Sequence, residues 1–437
     1  MLLSLGACFE MYDLFQTAYI SPGLLRSGIF QAGVRGLFGL TDQATFAAAT
    51  FAGLFVGTLI FAPVADRFGR RMIFTTSLLW YTIATIIMGV QSTSLGVDIW
   101  RLIAGIGIGV ELVTIDAFIS ELAPKHVRGR AFAVSQSIQF VAIPILATVS
   151  WWLVPRKPLN VDGWRWVVFL GSLGAVVVWT IRRRLPESPR WLAERGRLDE
   201  ADQIIARIES RIESEVGHPL PAPSTGISQH RLSATLPEVW TRPYRRRTIM
   251  LVVFNFFQTI GFYGFGNWVP SLIAAQGVTF SGSLQYSSII AVVYPLGPLL
   301  CTRIADQIER KTQIITAAVG TACFGLLFAR QRAPALIILF GVLITFSNNL
   351  LSYSYHAYQS ELYPTRIRAR AVGFVYSWSR LSTVFTSLII GYLLGKFGTN
   401  GVFALIAASM LIVVVAIGGF GPRTNGMALE EISEERE

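Results

Sequence analysis

The sequence predicts an all-α membrane protein whose twelve transmembrane helices form two pseudo-symmetric bundles of six. Three observations carry this prediction. Apolar residues make up 52% of the 437 positions and charged residues only 14%, too few to clothe a soluble protein of this size. The apolar residues gather into runs near the length of about 20 residues that crosses hydrocarbon as a helix. One phrase is also written twice: Glu121–Ala131 reads ELAPKHVRGRA and Glu361–Ala371 reads ELYPTRIRARA, an offset of 240 residues.

The runs lie near 2–24, 43–64, 72–90, 95–119, 131–153, 164–181, 248–275, 284–304, 312–329, 334–356, 371–394 and 401–421. Only helices and closed barrels satisfy their backbone groups in lipid, and these runs are too long and too uniformly apolar for barrel strands. The first opens at Met1 without a basic flank and carries Glu10 and Asp13, so it reads as a span and not as a secretory signal. Residues 1–181 then make the first bundle, 182–247 a connector, and 248–437 the second bundle with a short tail. Within the connector Ala201, Ile204, Ile205, Ile208 and Ile212 form one apolar stripe, the pattern of an amphipathic helix under the membrane. Residues 217–237 read as a linker rich in Pro, Ser and Gly.

Basic residues cluster on alternate connections, which places both chain ends in the cytoplasm. The net charge of +11 is mostly this asymmetry, and no basic stretch sits on a soluble fold that would bind nucleic acid. Cys8, Cys301 and Cys323 stand at no metal spacing and read as ordinary buried thiols.

The repeat extends beyond its opening phrase. Asp66-Arg67-Phe68-Gly69-Arg70-Arg71 maps at the same offset onto Asp306-Gln307-Ile308-Glu309-Arg310-Lys311. A duplicated six-helix unit explains both copies, and parallel repeats are a known transporter plan. The acids and bases of these loops can pair as a latch on the cytoplasmic side. They are Asp66, Arg67, Arg70, Arg71, Glu121, Arg128, Arg130, Glu187 and Arg190, facing Asp306, Arg310, Glu361, Arg368 and Arg370. Positive-inside topology alone would need the bases but not acids at matched positions.

On these motifs the chain resembles the major facilitator superfamily over essentially its whole length. APVADRFGRR at 62–71 is close to the superfamily's loop signature, with Ala62 where Gly is usual. RLIAGIGIG at 101–109 matches the fourth helix, PESPRWL at 186–192 the phrase after the sixth helix of sugar-porter-like members, and TNGMALEEI at 424–432 that group's tail in weakened form. The second loop copy, DQIERK, departs from the signature. The glycines of RLIAGIGIG mark close helix packing, since no strand precedes them. The resemblance implies alternating access between the two bundles around a site at the membrane midplane.

Charges inside spans cost about 2.5–3.5 kcal/mol each at a helix centre, so each needs a reason. Glu10 and Asp13 lie in the first helix, and Arg101, Glu111 and Asp116 in the fourth; their counterparts in the second half are Met250, Val253, Gly341, Leu351 and His356. Purely structural charges would have been kept in both halves. Asp13 is read as the main proton carrier, with Arg101 as its movable counter-ion and Glu111 or Glu10 assisting. The resemblance includes proton symporters with an acid in the first helix and Arg at the Arg101 position. A static buried pair is the alternative.

For the solute, the seventh helix offers Asn255, Gln258, Tyr263, Asn267 and Trp268, and the tenth Asn349, Tyr353 and His356. Helix-packing roles are the alternative for each. Arg380 sits midway along the eleventh helix beside Tyr376 and Trp378, where its second-half position answers to Phe140. A lone Arg at that depth suits a carboxylate with an adjacent ring, unless an acid of the other half pairs it. These readings together expect a proton-coupled importer of a small organic acid, aromatic or nicotinate-like, resembling the metabolite–proton and aromatic-acid symporters. It would be driven by the proton gradient without a cofactor and would work as a monomer in a bacterial inner membrane. A sugar or polyol porter is the alternative that PESPRWL supports, and a non-transporting receptor of the same fold a further one. The fifth helix lacks the GPxxGG phrase of drug–proton antiporters. No nucleophile–base constellation or phosphate-cradling loop points to an enzyme.

Overall fold

A computed structural model describes residues 2–31, 40–68, 70–122, 128–182, 187, 189–219, 236–303, 307–363 and 367–424. Among these residues the chain is helical and has no strand. The helices are α1 (Leu2–Arg26), α2 (Asp42–Phe68), α3 (Arg70–Gly89), α4 (Ser94–Leu122), α5 (Arg128–Phe140), α6 (Ala142–Leu153), α7 (Gly163–Arg182), α8 (Pro189–Glu194) and α9 (Leu198–Val216). They continue as α10 (Arg242–Gly266), α11 (Val269–Ala275), α12 (Phe280–Ala291), α13 (Val293–Cys301), α14 (Arg310–Ala329), α15 (Pro334–Glu361) and α16 (Arg368–Phe420).

Three pairs of these are single rods with a bend, and proline causes each bend. A proline cannot donate to the carbonyl four residues back. Pro144 leaves Phe140 unserved between α5 and α6, Pro270 leaves Gly266 unserved between α10 and α11, and Pro295 leaves Ala291 unserved between α12 and α13. Conversely α16 runs through two rods, parted at Gly398, whose φ of 62° and ψ of −158° favour glycine. With these joins the described helices make six long rods before α8 and six after α9. Six described segments are long and apolar enough to cross a membrane by composition, among them 130–153, 244–266 and 334–361. The apolar surface outside agrees: Trp80, Ile83, Leu173, Leu300 and Leu411 are exposed, which suits hydrocarbon and not water.

The α2–α4 contact is the tightest helix pair near the site. Gly53 and Gly57 of α2 face Leu102, Gly105 and Ile106 of α4, while Gly105 and Gly109 face Thr50 and Leu54. A Cβ on any of them would run into backbone of the other helix. Gly105→Val is therefore expected to destabilise by about 1–3 kcal/mol or more through overpacking, lowering the unfolding temperature in detergent. Gly419→Ala, with nothing within 4 Å of the new methyl group, should leave that temperature unchanged.

Two apolar cores form, one mostly from α1–α7 and one mostly from α10–α16, and they interlock. Ala44 and Ala47 of α2 belong to the second core, and Phe262, Tyr263 and Tyr294 to the first. At the face remote from the chain ends, the far face, the halves are closed. Gln43 Nε2 donates to Ser271 Oγ at 2.7 Å, the Arg26 guanidinium lies 5.5 Å from the Phe280 ring centre, and Phe15 packs edge-on to Tyr294 at 5.3 Å.

In the connector, α9 buries Ala201 but presents Ile205, Ile208 and Ile212 outward, so the apolar stripe faces away from the protein. Of the thiols, Cys8 and Cys301 are buried as expected, whereas Cys323 is exposed on the outer surface of α14.

Candidate functional site

Asp13 and Thr17 lie one turn apart on α1, and both turn toward α4. α1 is fixed in rotation by Tyr12, whose hydroxyl donates to the Val167 carbonyl of α7 at 2.9 Å. Arg101, 0% exposed, reaches back from α4: Nη1 donates to Asp13 Oδ2 at 3.1 Å and Nε to Thr50 Oγ1 at 3.1 Å. Nη2 donates to the Asp13 carbonyl and to Thr17 Oγ1. From α3, Thr85 donates to the other Asp13 oxygen at 3.4 Å, and the Phe46 ring covers the guanidinium. Each charge is thus satisfied inside the bundle, which a low-dielectric site demands. Glu10 is also fully buried, one turn before Asp13. The side chains of Glu111 and Asp116 lie outside the described residues.

A cavity opens between the halves on the other side of α1. About 50 Å³ of it admits the centres of water-sized molecules. α1 contributes Met11, α5 contributes Gln136, Gln139 and Phe140, and α10 contributes Gln258, Thr259, Phe262 and Tyr263. The remaining wall is Ser352, Tyr355 and His356 of α15 with Tyr376 and Arg380 of α16. Gln136 Nε2 donates to Ser352 Oγ at 2.6 Å and so bridges the halves. His356 is stacked on Tyr355, ring centres 4.3 Å apart.

Arg380 dominates the cavity's electrostatics. It is 2% exposed, and its Nη1 and Nη2 donate to the Tyr263 and Tyr376 hydroxyls at 2.9 and 2.7 Å. Both rings also lie near the cation, at 5.7 and 4.8 Å from their centres. Among the described residues no carboxylate approaches it within salt-bridge distance. The tyrosines lend oxygen dipoles and ring faces but no negative charge. The cavity therefore holds a buried cation that an incoming anion can neutralise.

The two centres touch through α2. Thr50 accepts from Arg101, and its chain neighbour Phe51 packs on Tyr263 with ring centres 4.9 Å apart; Tyr263 in turn accepts from Arg380.

Four of the residues read from sequence as solute contacts line the cavity: Gln258, Tyr263, His356 and Arg380. The other five do not. Asn349 donates to the Val293 and Tyr294 carbonyls at 3.2 Å, and the latter is the carbonyl that Pro298 cannot serve. Tyr353, about 100° around α15 from Ser352, instead donates to Gln313 Oε1 at 2.7 Å. Asn255 donates to the Leu251 carbonyl of its own helix. Asn267 closes α10 and Trp268 opens α11, both buried above the cavity at the proline bend. Asn349→Ala should thus lower the unfolding temperature by orphaning the Tyr294 carbonyl, a cost of about 1–3 kcal/mol, while Tyr353→Phe leaves solute affinity unchanged.

Sequence reasoning missed Gln136, Gln139 and Tyr355, whereas Phe262, one turn after Gln258 on the same side of its helix, lines the cavity. The signal for the first two was present, since two amides three residues apart in an apolar helix share a face. The repeat held a further signal. Gln136 and Tyr376, and Phe140 and Arg380, stand 240 residues apart and meet in one cavity, as positions near a pseudo-symmetry axis must.

For the expected latch, Arg310 Nε donates to both Glu361 oxygens at 2.8 and 2.9 Å. Both residues belong to the second half, so this pair does not staple the two halves together. Arg130 and Arg370 are exposed and Glu187 is half-buried. Asp306 and the side chains of Asp66, Arg67, Arg70, Arg71, Glu121, Arg128, Arg190 and Arg368 lie outside the described residues.

The family model described as "Sugar (and other) transporter" matches residues 2–435. The chain belongs to that family. This transporter is 32% identical to the putative metabolite transport protein YyaJ of Bacillus subtilis (strain 168), over 95% of this chain and 90% of that protein. It is 26% identical to the niacin transporter NiaP of Acinetobacter baylyi, over 98% and 94% of the two chains. Among solved structures, the major facilitator superfamily proton:xylose symporter XylE of E. coli superposes with a TM-score of 0.75 at 20% identity, covering 100% of this chain and 98% of the other. The fold is thus the major facilitator fold, and the transporter is an integral membrane protein and not an enzyme.

Proposed function

We propose that this transporter is a proton-coupled symporter that imports a small organic acid by alternating access, with Asp13 carrying the proton and Arg380 binding the carboxylate. The observation that carries the reading is Arg380: a cation nearly sealed from solvent, facing a cavity, with no described acid to balance it. A guanidinium binds a carboxylate through two parallel hydrogen bonds, and Phe140, Phe262, Tyr355 and Tyr376 give a flat ring its walls. Gln136, Gln139 and Gln258 supply donors and acceptors for a ring nitrogen or hydroxyl. A relative named a niacin transporter fits this chemistry.

The buried Asp13–Arg101 pair supports the proton half of the proposal. A protonated Asp13 gives up most of its attraction for Arg101, so loading a proton frees the guanidinium and loosens α1 from α4. The Thr50–Phe51–Tyr263 contact gives the cavity a physical means of sensing that event. A proton that enters with a monoanion moves no net charge, so the pH difference drives accumulation, about 1.4 kcal/mol or tenfold per pH unit. In this reading both termini are cytoplasmic in a bacterial inner membrane, the proton gradient replaces any cofactor, and a monomer suffices. A solved structure of the same fold is named a proton:xylose symporter.

The three cavity glutamines also favour a second reading, a neutral sugar or polyol held by amide hydrogen bonds. One experiment separates the two. Purified protein in liposomes, under an imposed inward proton gradient, is offered labelled nicotinate, benzoate, xylose and glucose. The proposal expects gradient-driven uptake of a carboxylate, unaffected by excess sugar. Sugar uptake that ignores carboxylates would instead establish the second reading.

A further inference from the structure

Arg101 has more chemistry than its contact with Asp13 uses. A guanidinium carries five N–H groups. Four are taken by Asp13 Oδ2, the Asp13 carbonyl, Thr17 and Thr50. One turn back along α4, toward the far face, stands Asp98, and residues three apart on a helix are neighbours. Its polar neighbours from α2 are Asp42 and Thr45, while Thr50, further along the same helix, already serves Arg101. Asp98 Oδ1 is sealed from solvent and has no hydrogen-bond partner among the described residues. Such an oxygen costs free energy until a proton or a cation comes to it. The only cation one turn away on the same helix is Arg101.

The surroundings admit few competitors. From α2 the facing charge is Asp42, half-exposed at the far face, whose Oδ2 accepts from the Gln31 amide at 2.9 Å. From α1 the facing acid is Asp13, on the other side of Arg101. α3 brings Tyr81 against Gly107, well past Asp98, and Arg165 of α7 is held by the Gly89 and Gln91 carbonyls at the end of α3.

We propose that Asp98 is the proton's entry station from the far side, and that Asp98 and Asp13 share Arg101 in alternation. In the arrangement seen here Arg101 neutralises Asp13, and Asp98 is the acid that holds the proton. When the proton passes to Asp13, the guanidinium moves back one turn and pairs with the Asp98 carboxylate. One proton goes toward the cavity as one cation goes the other way, so the bundle's charge is unchanged. Asp13 then releases its proton to the cytoplasmic side and is again a carboxylate, the next proton arrives past Asp42 and reloads Asp98, and Arg101 returns to Asp13. This inference rests on the proton-coupled reading above.

The test uses the full-length protein in liposomes, with the carboxylate found in the solute screen. It compares wild type, Asp98→Asn and Asp98→Glu in two assays: gradient-driven uptake against external pH, and solute exchange without a gradient. Asp98→Asn should keep exchange within about two-fold, lose roughly tenfold in driven uptake and flatten the pH profile, while Asp98→Glu restores the profile with a displaced midpoint. An Asp98→Asn profile that overlays wild type overturns the inference, as does an equal loss in both assays. If Asp98→Asn does not fold, Asp98→Glu decides alone, since an unmoved midpoint refutes the role and a displaced one supports it. Wild-type uptake indifferent to the gradient sinks the proton-coupled reading itself, whereas driven wild-type uptake with an unaltered Asp98→Asn profile sinks only Asp98.

Discussion

Asp13→Asn is expected to abolish gradient-driven accumulation while leaving solute exchange across the membrane intact. The amide is nearly isosteric with the carboxyl: its oxygen can still accept from Arg101, while its nitrogen donates to the Thr85 hydroxyl, which reverses that hydrogen bond. It cannot titrate. The bundle would then rest permanently in the state the proton normally produces, and solute would equilibrate without being concentrated. Loss of about tenfold accumulation per imposed pH unit, down to equal levels inside and outside, is the size of the effect. Asp13→Ala is a harsher change, because it leaves the Arg101 charge buried and partly unpaired, which costs about 3–5 kcal/mol. That variant should lose folded protein as well as activity. A measured unfolding temperature separates the two cases, since only the alanine variant should show a large drop. Coupling that survives in Asp13→Asn would move the proton site to Glu10 or to an acid of α4.

Arg380→Ala carries the second large effect. The guanidinium is the cavity's only described cation, and its tyrosine partners bring no charge to stand in for it. Breaking a buried pair by removing one partner costs about 3–5 kcal/mol, which is a loss of roughly two to three and a half decades in affinity. The loss should fall on carboxylates alone, so the amide analogue of the same acid binds wild type and variant about equally. Arg380→Lys is expected to recover only part of the affinity, because an ammonium cannot make the two parallel hydrogen bonds. Equal carboxylate affinity in wild type and Arg380→Ala would rule out this anion site. Phe51→Ala tests the link between the centres: it should weaken the dependence of uptake on the proton gradient more than it weakens solute binding.

The fold was legible because its causes are local and periodic. Runs of apolar residues at bilayer length, a repeated loop phrase and the glycines of RLIAGIGIG each state one physical requirement in the chain itself. The ion pair was legible for a similar reason, since Asp13 and Arg101 stand in lipid-length runs where charge needs a partner. The cavity was only half legible. Asn349 and Tyr353 look like solute ligands in sequence, but a polar side chain in a membrane helix also repairs backbone that proline leaves open. Pro298 lies 51 positions from Asn349, and only the packing of α13 on α15 shows which need the amide meets. Gln136 and Gln139 share one face of α5, but that this face meets the cavity depends on the packing of α5 against α13 and α15, which its own sequence does not state. Arg310 and Glu361 both stand on the second-half side of the expected latch, because the repeat gives each a counterpart in the first half. Their actual pairing depends on α14 and α15 lying side by side, which an offset of 240 residues does not encode.

The most direct measurement of the central claim is proton movement caused by solute alone. Liposomes holding the protein and an internal pH indicator, with no imposed gradient and the membrane potential clamped at zero, receive an inwardly directed gradient of a permanently ionised carboxylate or sulfonate analogue that the transporter accepts. The account predicts that the lumen acidifies as label enters, that the two rates rise together, and that Asp13→Asn removes the acidification while label still equilibrates. Entry of label into wild-type vesicles with no change in internal pH would contradict it.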